Sequence, residues 1–105
     1  MIRPALLAVF VTVLLAGCSW VDLKPGADRV NLRSSSQVHS CERLGATTTS
    51  VRDRVGFYNR NSDKVGEELA DLARNSALEL GGDTIVPDGP IDDGERRFII
   101  YRCLR

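Results

Sequence analysis

The residues of this sequence best suited to covalent chemistry are its three cysteines, Cys18, Cys41 and Cys103. Cys41 follows His39 by two positions, which suggests either a thiolate nucleophile with a histidine base or a pair of metal ligands. A single His-x-Cys pair lacks a second ligand pair at zinc spacing, and nucleophilic catalysis also needs a group that orients the base. Cys103 offers Cys41 a third use, a disulfide bond. The pattern therefore predicts no metal site and no catalytic residue.

Acidic residues form two further clusters. One is an exposed loop after Pro87, and its members are Asp88, Asp92, Asp93 and Glu95. Their spacing does not match an EF-hand loop, so we interpret the segment as a hairpin turn around Asp93-Gly94 instead of a calcium site. The other cluster lies on the outer side of the predicted helix and is interpreted as a solvated face with helical charge pairs. Its acidic members are Glu67, Glu68, Asp71 and Glu79. Exposed loop acids are poorly positioned for catalysis, and no enzyme is predicted.

The first seventeen residues have the three-part layout of a secretory signal. Arg3 supplies a positive charge, residues 5–15 form an almost unbroken apolar run, and Ala16 and Gly17 are small. The apolar run is about half as long as a transmembrane helix, so a permanent membrane span is not expected.

The sequence Leu15-Ala16-Gly17-Cys18 resembles the bacterial lipobox. The resemblance implies that the Cys18 thiol receives diacylglycerol, that the bond between Gly17 and Cys18 is cut, and that the new amino group is acylated, so that the protein carries palmitate-type chains. Ser19, where an Asp would retain the protein in the inner membrane, implies the outer membrane. No cofactor is predicted apart from this covalent lipid. The alternative is a cleaved signal in which Cys18 carries no lipid.

These features divide the chain into a signal peptide (1–17), a lipidated tether (18–28) and one domain (29–105). The full chain has 14 basic and 14 acidic residues, and losing Arg3 leaves the mature chain one charge from neutral, so neither nucleic acid nor an anionic bilayer surface is favoured as a partner. The expected partners are the membrane, through the lipid, and a periplasmic or outer-membrane protein. Both a periplasmic and a surface-exposed orientation fit.

Once Cys18 is lipidated, Cys41 and Cys103 remain as an even pair in an oxidising compartment. This predicts a disulfide between them. Closing a loop of about sixty residues contributes roughly 4 kcal/mol on the chain-entropy model, a large share of the stability of a small domain.

Residue spacing predicts one helix over residues 63–80 and four strands over 29–32, 41–51, 84–86 and 96–103. Asn61 to Asp63 offer N-caps for the helix, and Gly81-Gly82 ends it. Its apolar stripe contains Val65, Leu69, Leu72, Ala73, Ala77 and Leu80. Residues 52–61 are interpreted as a solvated loop or a short strand, and Pro87 is predicted to end the third ladder.

The predicted fold class is α+β, a small, mainly antiparallel sheet in β-β-α-β-β order with one helix packed on one face. The first strand reads as an edge strand. The last strand has apolar side chains on both faces, which is typical of a central strand. If the second and last strands are antiparallel neighbours, Cys41 and Cys103 come together.

Several stretches of the sequence resemble a known family. They are Gly17-Cys18-Ser19-Trp20-Val21, Cys41-Glu42-Arg43-Leu44-Gly45, residues 61–86 ending in Leu80-Gly81-Gly82-Asp83-Thr84-Ile85-Val86, and Tyr101-Arg102-Cys103. In these the chain resembles a family of small proteobacterial lipoproteins known only as domain of unknown function 4156. The resemblance implies lipidation and a shared fold, and it transfers no catalytic residue.

More distantly, a helix followed by a short apolar strand and a terminal cysteine-bearing strand is similar to the sensor lipoproteins of the Rcs envelope-stress system. Those sensors have a longer proline-rich tether and more cysteines, and this sequence lacks both, so a sensing role rests on analogy. The sequence favours a non-enzymatic interaction module at the outer membrane. The alternative is an envelope-stress or redox sensor in which the bond between Cys41 and Cys103, or the tether, reports damage.

Overall fold

The structure is a computed structural model that describes residues 21–52, 54–55 and 58–104. The signal peptide, Gly17 and Cys18 lie outside the described residues. The described elements are β1 (Asn31–Leu32), β2 (Glu42–Ser50), β3 (Arg54–Val55), β4 (Tyr58–Asn59), α1 (Ser62–Glu79), β5 (Thr84–Pro87) and β6 (Glu95–Arg102). Short 3₁₀ helices, Ala27–Arg29 and Ser35–Gln37, lie on either side of β1. Within the described ranges, no helix combines the length and the apolar character that a membrane crossing requires.

Helix α1 begins and ends where its capping residues dictate. The side-chain oxygen of Asn61 accepts hydrogen bonds from the backbone N–H groups of Asp63 at 2.8 Å and Lys64 at 3.4 Å. At the other end Gly81 has a φ of 75°, and Gly82 N–H donates to the carbonyl of Ala77 at 2.7 Å, which is a Schellman motif. The predicted helix over 63–80 is confirmed within one residue at each end.

The second glycine of this corner is also required by packing. A Cβ placed on Gly82 would lie 2.6 Å from Cγ2 of Ile100 and 3.1 Å from the carbonyl oxygen of Tyr101. The helix therefore turns directly onto the sheet, and the same corner positions Asp83 and Thr84 at the start of β5.

The main sheet has four strands in the order β1-β5-β6-β2. Strand β1 is parallel to β5, whereas β5 with β6 and β6 with β2 are antiparallel pairs. The α+β prediction with one helix is confirmed, including β1 at an edge and β6 in the centre. The sheet is mixed, and the described residues add a separate two-stranded hairpin of β3 and β4.

Pro87 is the last paired residue of β5, as predicted, and the strand is one residue longer than the predicted 84–86. Pro87 still pairs with Phe98, and the N–H of Asp88 donates to the carbonyl of Arg97 at 2.8 Å. Hydrogen-bonded positions alternate along an antiparallel ladder, so Pro87 occupies a position whose nitrogen points away from β6. Its missing N–H therefore costs this ladder nothing.

The core lies between α1 and one face of the sheet. Its buried members are Val30, Val65, Leu69, Ala70, Ala73, Ala77, Ile85, Phe98 and Ile100. The Thr49 hydroxyl donates to the Leu69 carbonyl at 3.1 Å across this interface. Leu80, predicted in the apolar stripe, is exposed because it is the C-cap residue and lies beyond the last full turn of the helix.

The connection between β1 and β2 is expected on the face of the sheet opposite α1. Side chains alternate along a strand, so Val86 faces away from the core that holds Ile85, yet it is only 2 % exposed. Strands β1, β2 and β5 run in the same direction, and right-handed crossovers place residues 33–41 and α1 on opposite faces. Val38 of that connection is buried, which agrees with this arrangement.

Candidate functional site

The two cysteines of the domain are joined by a disulfide. Cys41 comes directly before β2 and Cys103 directly after β6, so antiparallel pairing brings them to a Cα–Cα distance of 4.4 Å. The predicted disulfide is confirmed. The bond leaves no thiol on Cys41, so neither the nucleophile nor the metal-ligand hypothesis with the exposed His39 has a sulfur available.

A carboxylate beside the disulfide fastens the chain that follows β6. Asp83 accepts hydrogen bonds from the backbone N–H groups of Cys103 at 2.9 Å and Leu104 at 2.8 Å, and from the Thr84 hydroxyl at 2.8 Å. Burial alone would raise the pKa of Asp83, but these hydrogen bonds and the charge of Arg102 lower it below its ordinary value. Nothing in the sequence pattern pointed to this role, because an Asp after Gly-Gly reads simply as a turn residue.

Asp83 should make stability depend on pH. Its lowered pKa means that the carboxylate stabilises the fold above the ordinary Asp pKa, about 4, and that this contribution is lost as the pH falls below that value. We expect Asp83→Asn to cost about 1 kcal/mol at neutral pH, since hydrogen bonds to charged acceptors contribute about 1.5–3 kcal/mol and this carboxylate is partly exposed. Urea unfolding at several pH values measures the difference.

The control for this experiment is Asp93→Asn, at an exposed turn position where Asn tolerates the same positive φ. The gap between the unsubstituted protein and Asp83→Asn should close as the pH falls toward 3. A gap of constant size from pH 7 to pH 3 would mean that the carboxylate charge has no part in holding Leu104 and Cys103.

The acidic loop between β5 and β6 is a tight hairpin turn. Asp93 and Gly94 have φ values of 48° and 73°, and Asp92 and Glu95 exchange two backbone hydrogen bonds of 2.9 Å each. Two consecutive positive φ values define the type I′ turn that matches strand twist. The predicted turn at Asp93-Gly94 is confirmed.

The remaining acids of this loop do not converge on a common point. Asp88 forms an ion pair with Arg97 at 3.1 Å, and Arg96 donates to the carbonyl of Gly89 at 2.9 Å. These residues line an open depression of about 310 Å³ that carries charges of both signs. Among the residues that the structure describes, no three His, Cys, Asp or Glu side chains are grouped as a metal ion would require.

Arg60 is fixed to α1 by an ion pair with Glu68, an acid of the predicted solvated face. Arg60 donates to both carboxylate oxygens of Glu68, at 2.8 and 2.6 Å, and also to the carbonyl of Arg52 at 2.7 Å. The side chains of Arg60 and Glu68 are only 10 % and 15 % exposed. Placing Glu68 on the solvated outer face is therefore wrong, because a bidentate pair covers it. The same face does carry the predicted helical pairs, Lys64 with Glu67 and Asp71 with Arg74.

The described part of the predicted tether contacts the C-terminal half of α1. The buried Asn75 side chain accepts from the N–H of Lys24 at 2.8 Å and donates to the carbonyl of Asp22 at 2.9 Å. Arg74 donates to the carbonyl of Val30 at 3.0 Å, and Lys24 pairs with Glu79 at 2.6 Å. Asp22 and Lys24 therefore contact the domain at the end of the sheet that also holds the disulfide.

Strand β2 leaves one of its two edges unpaired by any other described strand. The N–H of Val51 donates to the carbonyl of Gly94 at 2.9 Å, so the backbone polar groups of Val51 point toward β6. By the alternation of antiparallel ladders, Thr49 and Thr47 also point toward β6, whereas the backbone groups of Ser50, Thr48 and Ala46 point outward. The outward N–H and C=O groups of these three alternate residues therefore form an open backbone edge.

This edge lacks the features that protect many edge strands. Strand β2 is nine residues long, and its stretch from Gly45 to Ser50 contains no charged residue and no proline. A bulge at Leu44 is confined to its beginning. Ala46, Thr48 and Ser50 are exposed. The arrangement is suited to pairing with an extended peptide through backbone hydrogen bonds.

The domain is a small α+β domain with a single helix packed on a mixed four-stranded sheet. A disulfide joins the end of the central strand β6 to the start of the edge strand β2. The chain belongs to the family described as domain of unknown function DUF4156, whose model matches residues 21–103. The match covers α1, the main sheet and both bonded cysteines. No curated protein and no solved structure matches the chain.

Proposed function

We propose that this protein is a bacterial outer-membrane lipoprotein, anchored through diacylglycerol and an N-acyl chain on Cys18, whose domain acts in the periplasm as a non-enzymatic interaction module. The lipobox-like sequence ending in Cys18 and the Ser19 that follows it support the anchor. The open edge of β2 is the observation that carries the interaction role. A domain on the cell surface would use the same edge toward the outside.

Replacing the proposed lipid acceptor should release the protein from the membrane. Stable anchoring takes two acyl chains, at about 0.8 kcal/mol per buried methylene, so Cys18→Ala should lose both labelled palmitate and outer-membrane fractionation. Ser19→Ala is the matched control and should keep both. Palmitate incorporation by the Cys18→Ala variant would contradict the assignment.

The proposed occupant of the β2 edge is an extended segment of another envelope protein. A second copy fits less well, because identical edges related by a two-fold axis pair as antiparallel strands. Two copies anchored in one leaflet would both be held near the helix end that binds Asp22 and Lys24, so their β2 strands would run in the same direction. Pairing of β2 with β2 is therefore disfavoured by the anchor.

In-cell photo-crosslinking tests this docking site. We expect a photoreactive residue at Ala46 on the open edge to capture one recurrent envelope protein, and the same probe at the exposed His39 not to capture it. Capture of a second copy of this chain at Ala46 would identify self-association instead. The same abundant proteins at both positions would contradict a docking role for β2.

A redox or envelope-stress sensor is the second candidate. The observation that favours it is the position of the disulfide, which is partly exposed and joins the proposed docking strand to the centre of the sheet. The distant resemblance in element order to the Rcs sensor lipoproteins, a helix followed by a short apolar strand and a terminal cysteine-bearing strand, is in line with this candidate. Under this hypothesis Cys41→Ser changes an envelope-stress reporter, whereas under the interaction-module hypothesis the reporter is unchanged in cells where the variant still folds.

A further inference from the structure

The end of the domain that receives the tether exposes three leucines, namely Leu23, Leu80 and Leu104, and Leu104 is 70 % exposed. The ion pairs of Lys24 with Glu79 and of Arg102 with Glu42 lie at the same end. Leu104 also borders an open, mostly apolar depression of about 300 Å³ with Gly26 and Leu78. We call this surface the anchor end. The disulfide and the C-terminus of α1 lie at this same end of the sheet.

The length of the chain brings the anchor end close to the lipid. Backbone groups of Asp22 and Lys24 are fixed to Asn75, and Cys18 precedes Asp22 by four residues. A fully extended chain covers at most about 3.6 Å per residue, so the Cα atoms of Cys18 and Asp22 are within about 14 Å. A lipid on Cys18 would therefore keep this end of the domain within reach of the bilayer surface.

We propose that the anchor end docks on the phospholipid leaflet that holds the lipid of Cys18, with Leu104 and Leu23 at the level of the headgroups. The inference rests on the lipidation proposed above. Exposed leucines bury their apolar surface in this layer without any protein partner. The turn at Asp93-Gly94 and the N-terminus of α1 then point away from the membrane, and β2 runs outward from it with its edge open to the periplasm.

Tryptophan quenching by brominated phospholipids tests this orientation. The chain has a single tryptophan, Trp20, so Trp20→Phe gives a silent background. A tryptophan is then placed at Leu104 or, as control, at Ile91, an exposed residue that packs beside Gly66 near the start of α1. Gly66 and Leu80 are separated by about 20 Å of helix, at about 1.5 Å per residue.

The lipidated protein is reconstituted into vesicles, and co-flotation is scored before fluorescence. We expect at least about twofold stronger quenching for Leu104→Trp than for Ile91→Trp, because interfacial side chains lie about 5–10 Å into the headgroup and acyl boundary. Co-flotation with equal quenching would overturn the orientation and leave the anchor intact. Absence of both acylation and co-flotation would overturn the anchor and this inference together.

Discussion

Replacing Cys41 and Cys103 together with serine should lower the free energy of unfolding by about 4 kcal/mol. The two residues are 62 positions apart, and the loop between them contains β2, α1, β5 and β6. On the chain-entropy model, a crosslink over a loop of this length removes enough freedom from the unfolded chain to account for that value. Small domains have a total stability of about 5–15 kcal/mol, so the variant should be close to unfolding at growth temperature.

Urea unfolding of the oxidised protein with and without reductant measures the same quantity without a substitution. Reductant should destabilise the natural sequence by the amount that the double serine variant loses, and it should have no effect on the variant. A loss below about 1 kcal/mol in both experiments would mean that native strain or unfolded-state structure offsets the crosslink.

Phe98→Ala should cost about as much. Phe98 is 1 % exposed at the centre of β6, directly under α1, and it packs in the cluster that contains Leu69 and Ile85. Truncating a buried Phe to Ala loses about 3–5 kcal/mol, through lost apolar burial and the cavity left behind. The next residue supplies the control. Ile99 faces the opposite side of the sheet and is partly exposed, so Ile99→Ala should cost about 1–2 kcal/mol.

Chemical denaturation with the disulfide intact measures both variants. Equal losses for Phe98→Ala and Ile99→Ala would contradict a core confined to the α1 side of the sheet. They would instead assign similar weight to the opposite face of the sheet, where Val86 is buried.

Local signals in the sequence were sufficient for most of the fold. Apolar spacing and the cap at Asn61 located the helix, and Gly81-Gly82 and Asp93-Gly94 located a helix end and a hairpin turn. In each case a few neighbouring residues have a strong conformational preference of their own. The pairing of Cys41 with Cys103 followed from counting thiols and from the antiparallel arrangement of two strands.

The features that could not be predicted depend on contacts between distant segments. The sequence predicts an edge strand over 29–32, but no local pattern indicates that the two-residue β1 pairs in parallel with β5. Asn75 looks like an ordinary polar residue on a helix, yet it is buried because it binds the backbone at Asp22 and Lys24. Glu68 shares a pattern with solvated helical acids, and only the fold brings Arg60 to it.

The open edge of β2 likewise appears only after assembly, because a strand of threonines does not indicate which of its sides will be paired. Ladder alternation then gives each backbone N–H a direction. The N–H of Thr48 points outward, whereas those of Thr47 and Thr49 point toward β6. This difference allows the docking edge to be altered without removing any hydrogen bond of the sheet.

The most direct test of the account is the substitution Thr48→Pro, compared with Thr48→Val, in cells that carry the photoreactive residue at Ala46. Proline removes one outward N–H and is tolerated on an edge strand, whereas valine keeps the N–H and the β-branched shape. We predict that Thr48→Pro abolishes capture of the envelope partner at unchanged protein level, and that Thr48→Val retains it. Equal capture by both variants would contradict docking through the edge of β2.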